Sequence, residues 1–534
     1  MTPALGTVWP QPLAPLQSVG LSALVAAVPL IVVLVLMGGL RRSGLFASSC
    51  GLATAAILAT LVWRMPLALA GWSVAYGSAY ALWSILWLVF NALLLYNLSV
   101  ATGSFDRLRR WMGERASGDA CVQAMLVAFC FGALLEGSAG FGAPVAVTAF
   151  LLVGLGFDAR QAVVVALVAN TAPVAFGGVG VPIVALAGVT GLDIMRLSAM
   201  VGRQLPLVSF ILPFYLAWVV AGVSGLRRSW PAALVAGGSF AMAQCVVSNV
   251  WGPYATDVLS SLASIVALVA FLRVWAPPEA ATSSYTGPDR LGPGAVLGGW
   301  LPWVSLSAVM VLWSYFNLFQ EGQIAIPVAA LHNGVLITLY QKPYAAIFSF
   351  QPLASGTAVL VATLVTALCF RARPGVLVES AGKTARQLRL PGLTVLLIVG
   401  LAYLYNYSGM AYTLGAAVAG LGVVFPVVSS YLGWVACFLS GSDTAANLLF
   451  GNLQVAAAHP LHLDPVLLAA TNSSGAVAGK MISPQNIAVG VTTVGLVGHE
   501  GKVLQSTFWH SVVLAGLIGL IAFVQAHALP GMVP

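Results

Sequence analysis

Charge is scarce in this chain of 534 residues: Asp, Glu, Lys and Arg together make up 7% of it, where a water-soluble domain carries roughly 25%. That scarcity excludes a sizeable soluble domain between the apolar runs. Cysteine is sparse as well. Cys50, Cys121, Cys130, Cys245, Cys369 and Cys437 are scattered through apolar stretches with no C-x-x-C pair and no His-rich partners. A disulfide framework or thiolate metal site is therefore not expected, and the thiols read as small buried hydrophobes. The glycine-rich stretch EGSAGFGAP lacks the lysine of a phosphate-binding loop, which argues against nucleotide-driven pumping. Ser138 in that stretch lacks the G-x-S-x-G spacing and evident His and Asp partners, so a membrane hydrolase is not supported. No enzyme activity, cofactor or metal is expected.

Apolar residues are what the chain has, at 60%. Runs of about 18 or more recur from end to end, each long enough to cross a hydrocarbon layer of about 30 Å. Candidate spans fall near 18–40, 44–64, 74–100, 161–187, 205–224, 231–251, 255–275, 295–316, 353–370, 391–409, 412–434, 465–496 and 504–528. Two further regions, 121–153 and 435–458, carry glycine-rich or polar interruptions. The fold class expected is an all-α polytopic membrane protein with about 12–14 transmembrane helices. The N-terminus has no basic n-region, so the first apolar run reads as retained.

The net charge of +8 does not imply nucleic acid, because the basic residues sit in short loops where they set topology. Arg41/Arg42, the Arg107–Arg115 loop, Arg227/Arg228 and the 371–390 stretch share one face if the N-terminus is outside. Part of 371–390 is expected to lie as a helix along the membrane surface. The polar linker 276–294 separates comparable halves, and 317–352 is expected to lie outside, packed on the membrane domain.

The halves echo each other. The first reads EGSAGFGAP and then ANTAPVAFGGVGVP; the second reads SGSDTAANLLFGN and then TNSSGAVAGKMISP. Gly137 precedes Asn170 by 33 residues and Gly441 precedes Asn472 by 31, while Asn170 to Pro182 and Asn472 to Pro484 are both 12. Interrupted apolar segments at matched places in duplicated halves point to a transporter's substrate site. A straight helix over 121–153 would measure roughly 50 Å, so a break is expected near Gly137–Pro144. Each half thus predicts a re-entrant hairpin and a broken helix. Pro173 and Pro484 disfavour uninterrupted helix. The side from which the second hairpin enters stays open: counting 391–409 and 412–434 as full spans puts it inside, whereas an inverted repeat requires the opposite.

Unwound backbone needs a ligand or a water-lined cavity, and half-helix N-termini cradle anions. Candidate substrate contacts are Ser138, Gly140, Gly142, Asn170, Thr171, Ser442, Thr444, Asn472, Ser473, Ser474 and Lys480. An ionisable group at mid-membrane is costly, so Glu136 and Asp443 are candidate proton-coupling groups. Asp443 reads equally as a half-helix cap, and Lys480 as its ion-pair partner. Arg203 is a candidate electrostatic partner or an outward-reaching interfacial residue. His510 reads as structural.

The motifs LLEGSAGFGAPVAV, VANTAPVAFGGVGVPI, VGRQLPL, SGSDTAANLLFGNLQ and NSSGAVAGKMISPQNIAVG occur in order between about residues 130 and 490. They resemble the bacterial L-lactate permease family. The resemblance implies a secondary carrier that moves L-lactate, glycolate or related 2-hydroxy monocarboxylates with protons across the cytoplasmic membrane. It also implies a hairpin-bearing transport unit moving against a scaffold. Scaffold helices would fill 1–120 and 223–390, with transport repeats at 121–222 and 391–534. A carrier or channel for another small organic anion is the alternative; paired broken halves favour alternating access over an open pore. Partners expected are the monocarboxylate, protons and membrane lipid, with oligomeric state left open, a homo-oligomer included.

Overall fold

The computed structural model describes residues 8–40, 42–115, 118–138, 143–275, 291–496 and 498–534. Arg41, Gly140, Gly142 and most of the 276–294 linker lie outside these residues. Among the described residues nine helices are long and apolar enough to cross a membrane, and a tenth if the bent pair Ala159–Ala169 and Val174–Thr190 is one span. Several expected spans are merged or broken. Residues 205–224 and 231–251 belong to one helical run, Ile194–Val250, interrupted where Ala221 and Gly222 leave helical geometry (Gly222 φ 62°, ψ −154°). Pro374–Ser408 runs as one helix, so the basic stretch expected along the surface continues into the span 391–409.

Residues 412–434 fall within one apolar run, Met410–Ser440, that is interrupted. Met410–Val418 is a short helix, and Gly422 (φ 59°, ψ −137°) breaks the chain before Phe425–Ser440 begins. The second hairpin therefore consists of Phe425–Ser440 and Asp443–Ala458, starting ten residues earlier than 435. Its turn is made by Gly441 in the left-handed region (φ 73°). The first hairpin pairs Ala120–Ser138, whose middle widens into π-helix over Ala124–Phe131, with Ala143–Gly154.

The hairpins enter from opposite ends of the bundle. Helix Pro293–Tyr315 spans roughly 34 Å; Gly299 near its start abuts Leu108 of the basic amphipathic helix Ser104–Arg115. Its other end leads into 317–352. At the base of the first hairpin Asp119 accepts a 2.7 Å charged hydrogen bond from Arg228, on the basic end. At the base of the second, His459 packs on Tyr340 of the 317–352 segment, ring centroids 5.2 Å apart. The second hairpin thus starts from the end that carries 317–352, and the first from the basic end.

Segment 317–352 adds small strands to the helical fold: Ile324–Pro327 pairs antiparallel with Ile347–Phe350, and Val335 pairs in parallel with Trp9. Tyrosines of the membrane helices hold it down. The Tyr76 hydroxyl donates to the Ile347 carbonyl (2.8 Å) and Tyr407 to that of Ala345 (3.0 Å).

Candidate functional site

Two broken helices frame the site. The first begins at the Asp158 cap, runs Ala159–Ala169, passes through a 3-10 turn at Val174–Phe176 and bends by 64°. Gly178, Val179 and Gly180 then take φ values of 53°, 61° and 80° before helix resumes to Thr190. Glycine adopts this region freely, but a β-branched valine there is strained. The second runs Pro465–Lys480, breaks over residues 481–483, and resumes at Pro484–Thr493. Its first half can sit against the second hairpin because Gly475 and Gly479 press on the Ser430 and Trp434 carbonyls. Such small-residue faces allow the close approach that orders membrane helices. This packing delivers Lys480 to the break.

There the Lys480 ammonium meets Glu136 of the first hairpin: Nζ to Oε1 is 2.6 Å, with the side chains 9% and 4% exposed. Asn170 Nδ2 donates to the other carboxylate oxygen at 3.0 Å. Across the second hairpin's turn, Asp443 Oδ2 accepts from Ser473 Oγ at 3.0 Å, while its Oδ1 is buried without a hydrogen-bond partner. Asn447 extends this network, donating to Ser473 Oγ (3.0 Å) and to the Pro182 carbonyl (3.1 Å) of the first broken helix. Asn486 Nδ2 donates to the carbonyls of Gly441 and Lys480, tying the hairpin turn to the break.

A cavity of about 700 Å³ is walled by Glu136, Lys480, Gly177, Gly178, Ser442, Asp443, Thr444 and Asn486, and extends to Arg42 and Pro391. Three helix starts line it: Gly177 to Pro182, Ser442 to Thr444, and Gln485 to Asn486. Helix N-termini carry partial positive charge and unpaired N–H groups. With the Lys480 ammonium they make a wall suited to a small carboxylate.

The expected residues divide around this cavity. Glu136, Ser442, Asp443, Thr444 and Lys480 line it. Asn170 and Ser473 stand behind it as partners of the two carboxylates. Asn472 donates to Asn447, and Ser474 to Gln204, so both serve the buried polar network. Ser138 and Thr171 turn their hydroxyls back onto the carbonyls of Leu134 and Val168. Gly140 and Gly142 lie outside the described residues. Arg203 does not line the cavity: it donates to Asn249 Oδ1 (2.9 Å) and the Met532 carbonyl (2.8 Å), in keeping with its outward-reaching interfacial reading. Lys480 is the ion-pair partner of Glu136 rather than of Asp443.

Sequence reasoning missed Gly177, Gly178, Asn486 and Asn447. It also passed over Asp257, an acid inside the expected span 255–275, which was the signal that could have found it.

A multi-pass helical protein whose broken helices meet two oppositely inserted hairpins at an internal cavity has the build of a membrane carrier. The L-lactate permease family model matches residues 22–529, and the chain belongs to that family. It is 40% identical to glycolate permease GlcA of Escherichia coli K12 over 98% of this chain and 99% of that protein. It is also 40% identical to the L-lactate permease of the same strain, over 98% and 100%. Among solved structures, the Alcanivorax borkumensis YdaH transporter matches with a TM-score of 0.45 at 13% identity, over 86% of this chain and 87% of that one.

Proposed function

We propose that the chain is a proton-coupled carrier of L-lactate and related 2-hydroxy monocarboxylates such as glycolate. The observation that carries this reading is the buried Lys480–Glu136 pair in a cavity wall built from three helix N-termini. The names of the relatives, L-lactate permease and glycolate permease, support the substrate class. The substrate carboxylate binds at the helix starts beside Lys480 and competes with Glu136 for the ammonium. Ser442, Thr444 and Asn486 offer hydrogen bonds to the 2-hydroxyl, which acetate lacks.

Glu136, released from Lys480, takes up a proton, because an isolated buried carboxylate is costly to keep ionised. One proton thereby accompanies one anion. Asp443, which lines the same cavity and has one buried oxygen with no hydrogen-bond partner among the described residues, is the second candidate for that proton. The cavity extends to Arg42 on the basic face, which supports substrate exchange with that side in this state. The hairpins and broken helices, within 121–222 and 391–534, form the moving unit against the scaffold of 1–120 and 223–390.

The test is uptake of radiolabelled L-lactate by the purified protein in liposomes under an imposed pH gradient, with glycolate, pyruvate and acetate as competitors. Gradient-driven accumulation that glycolate suppresses and acetate does not is the expected result. Equal competition by acetate would remove the hydroxyl-recognition part of the proposal, and no accumulation would remove the carrier reading.

A further inference from the structure

The site has three buried carboxylates and one ammonium. Glu136 holds Lys480, and Asp443 accepts from Ser473. The third, Asp257, lies in the first turn of helix Thr256–Phe271, is 1% exposed, and meets no hydrogen-bond donor among the described residues at either oxygen. The hydroxyls around it on its own helix are committed elsewhere: Thr256 to the Gly252 carbonyl, Ser260 to that of Thr256, Ser261 to that of Val258.

Asp257 sits against the first hairpin immediately beyond Glu136. A Cβ on Gly137 would stand 2.6 Å from the Asp257 Cβ and 3.1 Å from the Val258 nitrogen. Its own helix carries no other charged residue. Among the described residues, the charged groups nearest by the packing are Glu136, next to Gly137, and Lys480, held at Glu136. On the neighbouring run Ile194–Val250, Arg196, Arg203 and Arg228 are engaged with Asp464, Asn249 and Asp119.

One ammonium can neutralise one of the two facing carboxylates. Lys480 is 2.6 Å from Glu136, so an ionised Asp257 would be an uncompensated charge in a dry setting, which proteins avoid by binding a proton. We propose that Asp257 is a second proton-binding site of the transport cycle, a store that supplies Glu136 when the substrate carboxylate takes Lys480. In that step the Asp257 O–H bond breaks, a Glu136 carboxylate oxygen gains the proton, and Asp257 is left as a carboxylate that refills from solution; no electrons are exchanged. This inference rests on the preceding reading that substrate competes for Lys480.

Two measurements test it. In proteoliposomes, Asp257→Asn should lower pH-driven lactate accumulation relative to lactate counterflow by about tenfold, the equivalent of one proton-binding unit. Counterflow also verifies that the variant folds. An unchanged ratio would overturn the proposal. On the wild-type protein, dicyclohexylcarbodiimide, which attacks protonated buried carboxyls, should modify Asp257, read by peptide mass. Asp257 unmodified at every pH tested would overturn the proposal without recourse to a variant. Wild-type liposomes that exchange no lactate would refute the substrate reading, whereas the labelling reads the Asp257 proton irrespective of that result.

Discussion

The two hairpins place their acids differently. In the first, Glu136 stands before the turn, on the arm leading in, and is paired with an ammonium from the opposite half of the chain. In the second, Asp443 stands after the turn, in the opening residues of the outgoing arm, with a serine hydroxyl as its partner. The broken helices differ in a matching way. Lys480 lies eight residues past Asn472; eight past Asn170 is Gly178, a left-handed glycine in the cavity wall. Where one half supplies a charge, the other supplies open backbone. The two halves share an outline, and this difference between them places an ammonium beside Glu136, where a substrate anion and a protein carboxylate can compete.

The largest effect is expected from removing that ammonium. Lys480→Met strands Glu136 as a buried, unpaired charge, which costs about 3–5 kcal/mol. Lactate counterflow should fall by about two orders of magnitude, with a lowered melting temperature in detergent. Adding Glu136→Gln should recover the melting temperature and leave transport lost. A Lys480→Met protein with wild-type counterflow would show that the asymmetry has no bearing on binding.

Next is Glu136→Gln alone. Accumulation under a pH gradient should disappear while counterflow persists within about tenfold, because the amide cannot cycle a proton. Retained accumulation would move the coupling role to the second hairpin. Gly177→Ala sharpens the comparison from the backbone side: its Cβ would stand 2.7 Å from Glu136 Oε1. Overpacking of that kind costs about 1–3 kcal/mol, and the KM for lactate should rise by about tenfold. The smallest effect is predicted for Ser473→Ala, which removes one hydrogen bond to Asp443 at a cost of about 1 kcal/mol. Transport should stay within about threefold. A loss as deep as that of Lys480→Met would make the two acids equals and end the contrast.

Interruptions were the legible part of this sequence. EGSAGFGAP, SGSDT, ANTAP and TNSSG stand out because glycine, proline and amide residues contradict the apolar runs around them. What they could not convey was the path between them. Gly422 looks like one more small residue in an apolar stretch, yet its backbone leaves helical geometry just before the second hairpin's first arm begins at Phe425. Side-chain assignments divided along similar lines. Ionisable residues in apolar runs are conspicuous, and Glu136, Asp443 and Lys480 all line the cavity, although Asp257 was passed over. Hydroxyls are not, since Ser138 and Thr171 satisfy themselves on a carbonyl of their own turn, a choice that sequence spacing cannot reveal. For Arg203 the sequence left two readings open, and its partners, Asn249 and Met532, are brought to it only by folding.

The Lys480–Glu136 contact also bears on how the protein is made. The two residues are 344 positions apart, so at about 5–20 residues per second Glu136 waits roughly 20–70 s for its counterion to be synthesised. Throughout that interval the first hairpin has an acid with no ammonium to meet, and lipid would reject it ionised. Final seating of the hairpin therefore belongs late in biogenesis, after the last third of the chain has entered the bilayer.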